Sequence, residues 1–370
     1  MGKIEPLTSL RFFAAALVVI GHAGFYPGFE AFKFQIINYS NAVSFFYVLS
    51  GFILFHSYKN LASKSEVKEF FIARFARVFP LHLATLIACL LIFGPNIFNG
   101  KANNYIPVFV TNLALIHAWI PEAKYYFSYN AVSWSVSVEA FFYMAFPALL
   151  FAYRRYGAKS LILPLLVPVA VSFVCVLYKI PLYGDGISSS ALLYVNPISR
   201  LIEFSFGMLV YVAYERLGNK NLKSSVWTIF EVGILLLLLV SLLIAKEIWL
   251  ALKFTDYSAF GYWYAIAGSF ILFGGVVFVF AYKSGAISSV LSKKIFVYLG
   301  EISFSVYMCH QIVLNYFNVY YLEVIKVNPV TMYMVYWAVT LIVSMLLYHV
   351  VEVPARKAIR GMLSRRQVTA

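Results

Sequence analysis

Leu7-Thr-Ser-Leu-Arg-Phe-Phe-Ala-Ala-Ala-Leu-Val-Val-Ile-Gly-His-Ala-Gly-Phe25 is a nineteen-residue apolar stretch crossed by one arginine, Arg11, and one histidine, His22. As a helix it rises about 29 Å at 1.5 Å per residue, close to the roughly 30 Å of hydrocarbon in a bilayer. A cleavable signal peptide carries no arginine inside its apolar core and is followed by a small-residue cleavage site, which is missing here. The stretch therefore reads as a retained membrane span. Ten more apolar stretches follow, near 38–58, 77–98, 105–121, 134–153, 160–178, 197–216, 226–245, 258–282, 296–322 and 330–352. All but 105–121 are long enough to cross. The composition of the 370-residue chain agrees, with 62% hydrophobic and 12% charged residues against roughly 45–50% and 25% in soluble domains. Its mean hydropathy is +0.82. A soluble enzyme of that composition could not cover its surface with polar groups.

Charge decides how many of the eleven stretches cross. If 105–121 crosses, Arg154, Arg155 and Lys159 fall outside and every later loop inverts. If it enters and leaves on one face, or lies at the interface, six basic clusters share the side of the N-terminus. They fall at 3–11, 59–77, 154–159, 216–223, 283–294 and 356–366 and hold 21 of the 29 lysines and arginines. Lys33, Lys101, Lys124, Lys179, Arg200, Lys246, Lys253 and Lys326 remain for the outer side. That asymmetry satisfies the positive-inside rule. The expected architecture is an all-α polytopic membrane protein with ten transmembrane helices in one bundle, a re-entrant or interfacial segment near 105–121, and both termini cytoplasmic. One transmembrane domain is expected over 1–355, followed by a short basic cytoplasmic tail over 356–370. The net charge of +14 is then a topology signal and not a nucleic-acid surface. Tyr125, Tyr126, Trp134, Trp249 and Tyr257, near segment ends, suit an interfacial aromatic belt.

The three cysteines, Cys89, Cys175 and Cys309, are odd in number and lie in apolar runs, which excludes a disulfide framework and a CxxC site. No HExxH, paired-histidine or Cys/His spacing is present, so no metal is expected. There is no GxGxxG and no Walker loop.

An ionisable side chain at the centre of a span costs about 2.5–3.5 kcal/mol on insertion scales, so each needs a partner or a function. Four constellations carry such groups. Arg11 and His22 stand eleven residues apart, which is about 16 Å of helix rise and nearly three whole turns, so they share one face. Arg11 sits at the cytoplasmic boundary and His22 at or beyond the mid-plane, where a neutral imidazole can serve as a general base or as a core hydrogen-bonding group. Arg74 and Arg77, at i and i+3 near the start of the third span, can clamp a polyanion through bidentate bonds or act as stop-transfer charge.

Trp134-Ser-Val-Ser-Val-Glu139, continuing to Tyr143, places a carboxylate at a depth like that of His22. Glu139 can polarise that histidine, or pair structurally with Arg200 or Lys124. Ser135 and Ser137 lack a GxSxG elbow and read as backbone-bonded serines. Ser303-Phe-Ser-Val-Tyr-Met-Cys-His310 sets a second imidazole deep in the bundle. His56, His82, His117 and His349 are weaker candidates, each near an interface or a span end.

Taken in order, these elements resemble the acyltransferase-3 family of bacterial integral membrane O-acyltransferases. The matching segments are Leu7-Thr-Ser-Leu-Arg-Phe-Phe-Ala-Ala-Ala with its basic-x10-His pair, Ser44-Phe-Phe-Tyr-Val-Leu-Ser-Gly-Phe-Ile-Leu, Arg74-x-x-Arg77, Trp134–Glu139, Ser303–His310 and Val351-Glu-Val-Pro-Ala-Arg. The resemblance implies a ten-span enzyme of the bacterial cytoplasmic (inner) membrane. It would take an acyl group, usually acetyl, from acyl-CoA on the cytoplasmic side to a hydroxyl of a surface glycan, glycolipid or other lipid-linked acceptor. Acetyl-CoA is implied as co-substrate, with no tightly bound cofactor. Carried onto this sequence, His22 is the catalytic histidine, with Arg11 essential on the same helix and Glu139 in the active centre. Arg74 and Arg77 belong to the coenzyme A site; Trp134, Ser135, Tyr143, Tyr307 and His310 line the core.

The sequence runs out soon after the tenth span, so no SGNH hydrolase-like domain of the kind some members carry is expected. Direct transfer and an acyl-histidine intermediate both remain open, as does a homo-oligomer. Gly51 admits either close approach of a pantetheine arm or helix packing. The rival class is a secondary transporter or flippase, which should show inverted repeats and broken helices; a non-enzymatic partner of a glycan-synthesis complex is a second rival.

Overall fold

The computed structural model describes residues 2–26, 28–32, 38–94, 105–218, 222–320 and 328–368, with side chains as far as Gly361. Lys33, Lys101, Lys220 and Lys326 of the charge count lie outside the described residues, as do the Arg365 and Arg366 side chains. Among the described residues the regular structure is helical and no strand occurs. The α-helices are α1 (Glu5–Ala23), α2 (Ala42–Tyr58), α3 (Lys64–Phe93), α4 (Tyr105–Leu113), α5 (Ala123–Tyr126), α6 (Trp134–Tyr156), α7 (Leu166–Leu177) and α8 (Leu201–Leu217). They continue as α9 (Ser224–Leu252), α10 (Ser258–Ala267), α11 (Phe270–Ala281), α12 (Ala286–Leu291), α13 (Lys294–Tyr320), α14 (Pro329–Leu347) and α15 (Val353–Val368).

The chain is an all-α polytopic membrane protein. Eight of the described helical stretches are long and apolar enough to cross a membrane. The other two expected spans are shorter. Pro164 and Pro168 lack amide donors, and the 160–178 region is split into 3-10 turns ahead of a 12-residue α7. Helix α8 has 17 residues, about 26 Å of rise. The 105–121 segment does not form a spanning helix: the nine residues of α4 are followed by a left-handed Leu115 (φ 56°) and a 3-10 turn at His117–Trp119.

Helix α3 starts thirteen residues before the apolar run at 77. Ser63 accepts from the Glu66 amide while the Glu66 carboxylate accepts from the Ser63 amide, a reciprocal cap that starts a helix in charged sequence. Arg74 and Arg77 consequently sit three to four turns inside α3, at the near edge of its apolar run, and His82 lies mid-helix.

Two compact units can be described, each by itself. The first comprises residues 1–18, 34–59 and 148–301. In it α2 packs on α8 at backbone contact: a Cβ on Gly51 would overlap the Phe204 carbonyl, and one on Gly207 the Val48 carbonyl. Gly51 is thus spent on helix packing. The span 258–281 is broken between α10 and α11, and Ser44 Oγ donates to the Ile266 carbonyl at 3.1 Å while Asn38 and Asn41 donate to that of Ala265. Arg200, counted from sequence as an outer-side charge, is fully buried and ion-pairs with buried Glu203 at 2.8 Å. Its guanidinium donates to Ser44 Oγ at 3.1 Å and lies over the rings of Tyr47 and Tyr194.

The second unit comprises residues 19–33, 60–147 and 302–370. Phe70 of α3 stacks on Phe146 of α6. Leu86, Cys89, Val108, Tyr129 and Ile312 form a core that ties α3, α4 and α13 together.

Candidate active site

His22, the Arg74–Arg77 pair, Trp134–Glu139 and Ser303–His310 all fall in the second unit. Helix α1 delivers His22 near its C-terminal end, and α13 delivers His310 from within a buried stretch. His22 Nδ1 lies 2.9 Å from His310 Nε2, with the two rings within 18° of parallel. His310 is fully buried, whereas His22 keeps partial exposure. On its other side His310 Nδ1 lies 2.7 Å from the Tyr307 carbonyl, one turn earlier on α13.

Of three bonded serines before and within α6, Ser135 reaches α13. Ser135 Oγ donates to the Val132 carbonyl at 2.9 Å and is hydrogen-bonded to the Tyr307 hydroxyl at 2.7 Å. Ser133 Oγ lies 3.3 Å from His117 Nε2. Ser137 Oγ donates to the Leu115 carbonyl at 2.6 Å and fixes the turn that stops 105–121 from crossing. Asn130 Nδ2 donates to the Met308 carbonyl at 2.8 Å, clamping α13 beside the histidine couple. These serines are bonded to backbone or to partner side chains, as membrane serines commonly are.

The carboxylate and the arginines form a second cluster in the same unit. Tyr143 Oη donates to Glu139 Oε1 at 2.5 Å, one helical turn apart on α6. The Arg74 guanidinium lies 5.8 Å from the centre of the Tyr143 ring. Arg77 Nη1 is 2.5 Å from Glu352 Oε1, and Glu352 is 1% exposed. Ser305 Oγ donates to the other Glu352 oxygen at 3.2 Å, and Arg356 stands 3.9 Å away. The described hydrogen bond of Glu139 therefore runs to Tyr143, while the imidazole against His22 is His310. The structural partners weighed for Glu139 are engaged elsewhere, Arg200 with Glu203 and Lys124 with Glu122 at 2.7 Å. Arg11 and Trp134 lie on α1 and α6, half-buried and buried respectively.

Sequence reasoning missed two features. Glu352, the partner of Arg77, belongs to the quoted Val351–Arg356 motif, and a lone buried carboxylate near a helix end was the available signal. His82 and His117, read as peripheral, are buried at 1% and 0% exposure with rings 6.2 Å apart. His82 Nε2 donates to the Asn112 carbonyl at 2.9 Å. No group of three or more His, Cys, Asp or Glu fit to hold a metal occurs among the described residues.

Comparison with known proteins is consistent with this geometry. A family model described as an acyltransferase domain matches residues 6–349. The chain is 36% identical over 156 residues to acyltransferase MdmB of Streptomyces mycarofaciens, an alignment covering 39% of this chain and 38% of the relative. It is 24% identical over 381 residues to a Staphylococcus aureus strain COL protein named "Putative O-acetyltransferase", covering 96% of this chain and 58% of the relative. It is 28% identical over 171 residues to nodulation protein 10 of Rhizobium leguminosarum bv. viciae, covering 40% and 44%. The chain thus spans about half the length of the curated relatives it matches. No solved structure matches it.

Proposed function

The chain belongs to the acyltransferase-3 family, and on that premise we propose that it is a membrane O-acyltransferase. It moves an acyl group, acetyl by family default, from acyl-CoA reached from the cytoplasm to a hydroxyl of a surface glycan, glycolipid or similar lipid-linked acceptor. The enzyme works in the bacterial cytoplasmic membrane with both termini inside. The observation that carries this reading is the 2.9 Å contact between the His22 and His310 rings, which anchors a partly exposed imidazole within a membrane helix.

The reaction balances without a metal or redox partner. The acceptor oxygen attacks the thioester carbonyl as His22 takes the hydroxyl proton. The carbon–sulfur bond breaks, and the departing thiolate recovers that proton from the imidazolium. The products are an O-acyl ester and free coenzyme A. Arg74 and Arg77 face the coenzyme A phosphates, with Glu352 fixing the second guanidinium. Glu139 acts on the donor side by holding Tyr143, whose ring faces Arg74. Arg11 is proposed as essential on the strength of the family resemblance alone.

Mass spectra of surface glycans from a producing strain and its deletion strain test the function. The expected result is a loss of about 42 Da per acetyl group in the deletion strain, restored by the wild-type gene and not by His22→Ala. Identical spectra from both strains would count against a glycan acceptor. The break between α10 and α11 is the feature that favours a transporter or flippase. Acceptor transport that persists in His22→Ala without coenzyme A binding would support that second reading.

A further inference from the structure

Resting on the acyltransferase reading, we infer that His310 is a positioning residue that fixes the tautomer of His22 and so decides which of its nitrogens receives the proton. A neutral imidazole carries a single N–H, and its partners assign where that hydrogen sits. His310 Nδ1 faces two main-chain carbonyls of its own helix, Tyr307 at 2.7 Å and Val306 at 3.3 Å. Carbonyl oxygens only accept, so Nδ1 of His310 bears the hydrogen and Nε2 bears the lone pair. That lone pair lies 2.9 Å from His22 Nδ1, which therefore donates. The lone pair of His22 is left on Nε2, the nitrogen that takes the acceptor's proton.

Two imidazoles thus stand in series, tied at one end to a backbone carbonyl. When His22 becomes imidazolium, its Nδ1–H bond to His310 becomes charge-assisted and stronger. The imidazolium is held in the way that the carboxylate of a Ser-His-Asp triad holds its histidine, but here by a neutral ring. A neutral ring suits this depth, because a carboxylate buried with His310 would carry a large desolvation cost. The His310 ring is also braced against rotation. It is fully buried, Asn130 grips the carbonyl of Met308 on the same helix, and Tyr307 is held by Ser135.

The test combines nitrogen-15 NMR of the purified, histidine-labelled protein with steady-state kinetics. The chain has six histidines, and His22→Gln identifies the His22 signals by difference. In wild type, His22 is expected as the Nδ1–H tautomer. His310→Gln keeps an acceptor oxygen near the Nε2 position and should retain that tautomer. His310→Leu removes the acceptor and should shift His22 toward Nε2–H.

Turnover with acetyl-CoA should fall about 100-fold in His310→Leu and less than tenfold in His310→Gln, with KM for acetyl-CoA within twofold in both. Wild-type His22 found as Nε2–H, or equal turnover losses in the two variants, overturns the inference. If His310→Leu does not fold, the His22 tautomer in wild type and in His310→Gln decides the matter. A protein with the Nδ1–H tautomer that transfers no acyl group overturns the acyltransferase reading while upholding the tautomer assignment. An active enzyme with the Nε2–H tautomer does the reverse.

Discussion

The Arg200–Glu203 pair and the His22–His310 couple each bury polar side chains among apolar helices, with opposite results at the surface. Arg200 and Glu203 are both fully buried, three residues apart at the start of α8, with two tyrosine rings over the guanidinium. That cluster is closed and its chemistry is spent on the fold. His310 is as buried as Arg200, but it supports a second ring that remains partly exposed. Burial of a polar group therefore does not by itself mark function. On the proposed reading the difference lies in a buried ring that holds a partly exposed one in a fixed orientation.

Breaking the closed cluster should have the larger effect on stability. Arg200→Leu strands a fully buried carboxylate and is expected to destabilise the protein by about 3–5 kcal/mol, seen as poor recovery in detergent and early thermal unfolding. Replacing both residues with leucine should restore much of that loss, because no charge is left unpaired. If the double variant is as unstable as the single one, the pair contributes more than mutual neutralisation.

The arginines of the second unit sharpen the contrast. Arg74→Ala should raise KM for acetyl-CoA about tenfold, equivalent to about 1.4 kcal/mol, with little change in kcat. Arg77→Ala should do the same and also lose stability, since Glu352, 1% exposed, loses its close ion pair and keeps only Ser305 and the more distant Arg356. Adding Glu352→Gln should recover the stability and not the affinity. An unchanged KM in Arg74→Ala would remove that residue from the donor site.

The smallest expected effect belongs to Ser137. Ser137→Ala leaves the Leu115 carbonyl without its 2.6 Å bond and should cost about 1 kcal/mol of stability. The consequence to look for is faster proteolysis or hydrogen exchange confined to 114–120. An unchanged exchange pattern would show that the left-handed Leu115 turn holds without that serine.

Much of this architecture was legible in the sequence because hydrocarbon thickness imposes length and composition on every span. Eight of ten expected spans have the required helices, and 105–121 was set apart by the charges on either side of it. The two short spans were harder to read, because apolar composition says nothing of where Pro164 splits the 160–178 region into 3-10 turns, nor that α8 stops at 17 residues. The start of α3 was missed because hydropathy ignores a cap such as Ser63–Glu66. At the site, His22, His310, Tyr307 and Ser135 were all singled out, yet their pairing was not. Residues separated by 288 positions come together only through the packing of α1 against α13, which no local pattern encodes. Glu139 also has a local partner one turn along in Tyr143, which its i, i+4 spacing made legible.

On the proposed reading, the His22 imidazole carries the proton during acyl transfer. Transfer of label from acetyl-CoA by purified wild type and His22→Ala, compared in the same proteoliposomes with an acceptor-bearing extract, tests it most directly. Wild type should transfer label, and His22→Ala should retain its fold and coenzyme A affinity while transferring at least about a thousandfold more slowly, a barrier increase of about 4 kcal/mol. A folded His22→Ala protein that transfers label within tenfold of wild type would contradict it.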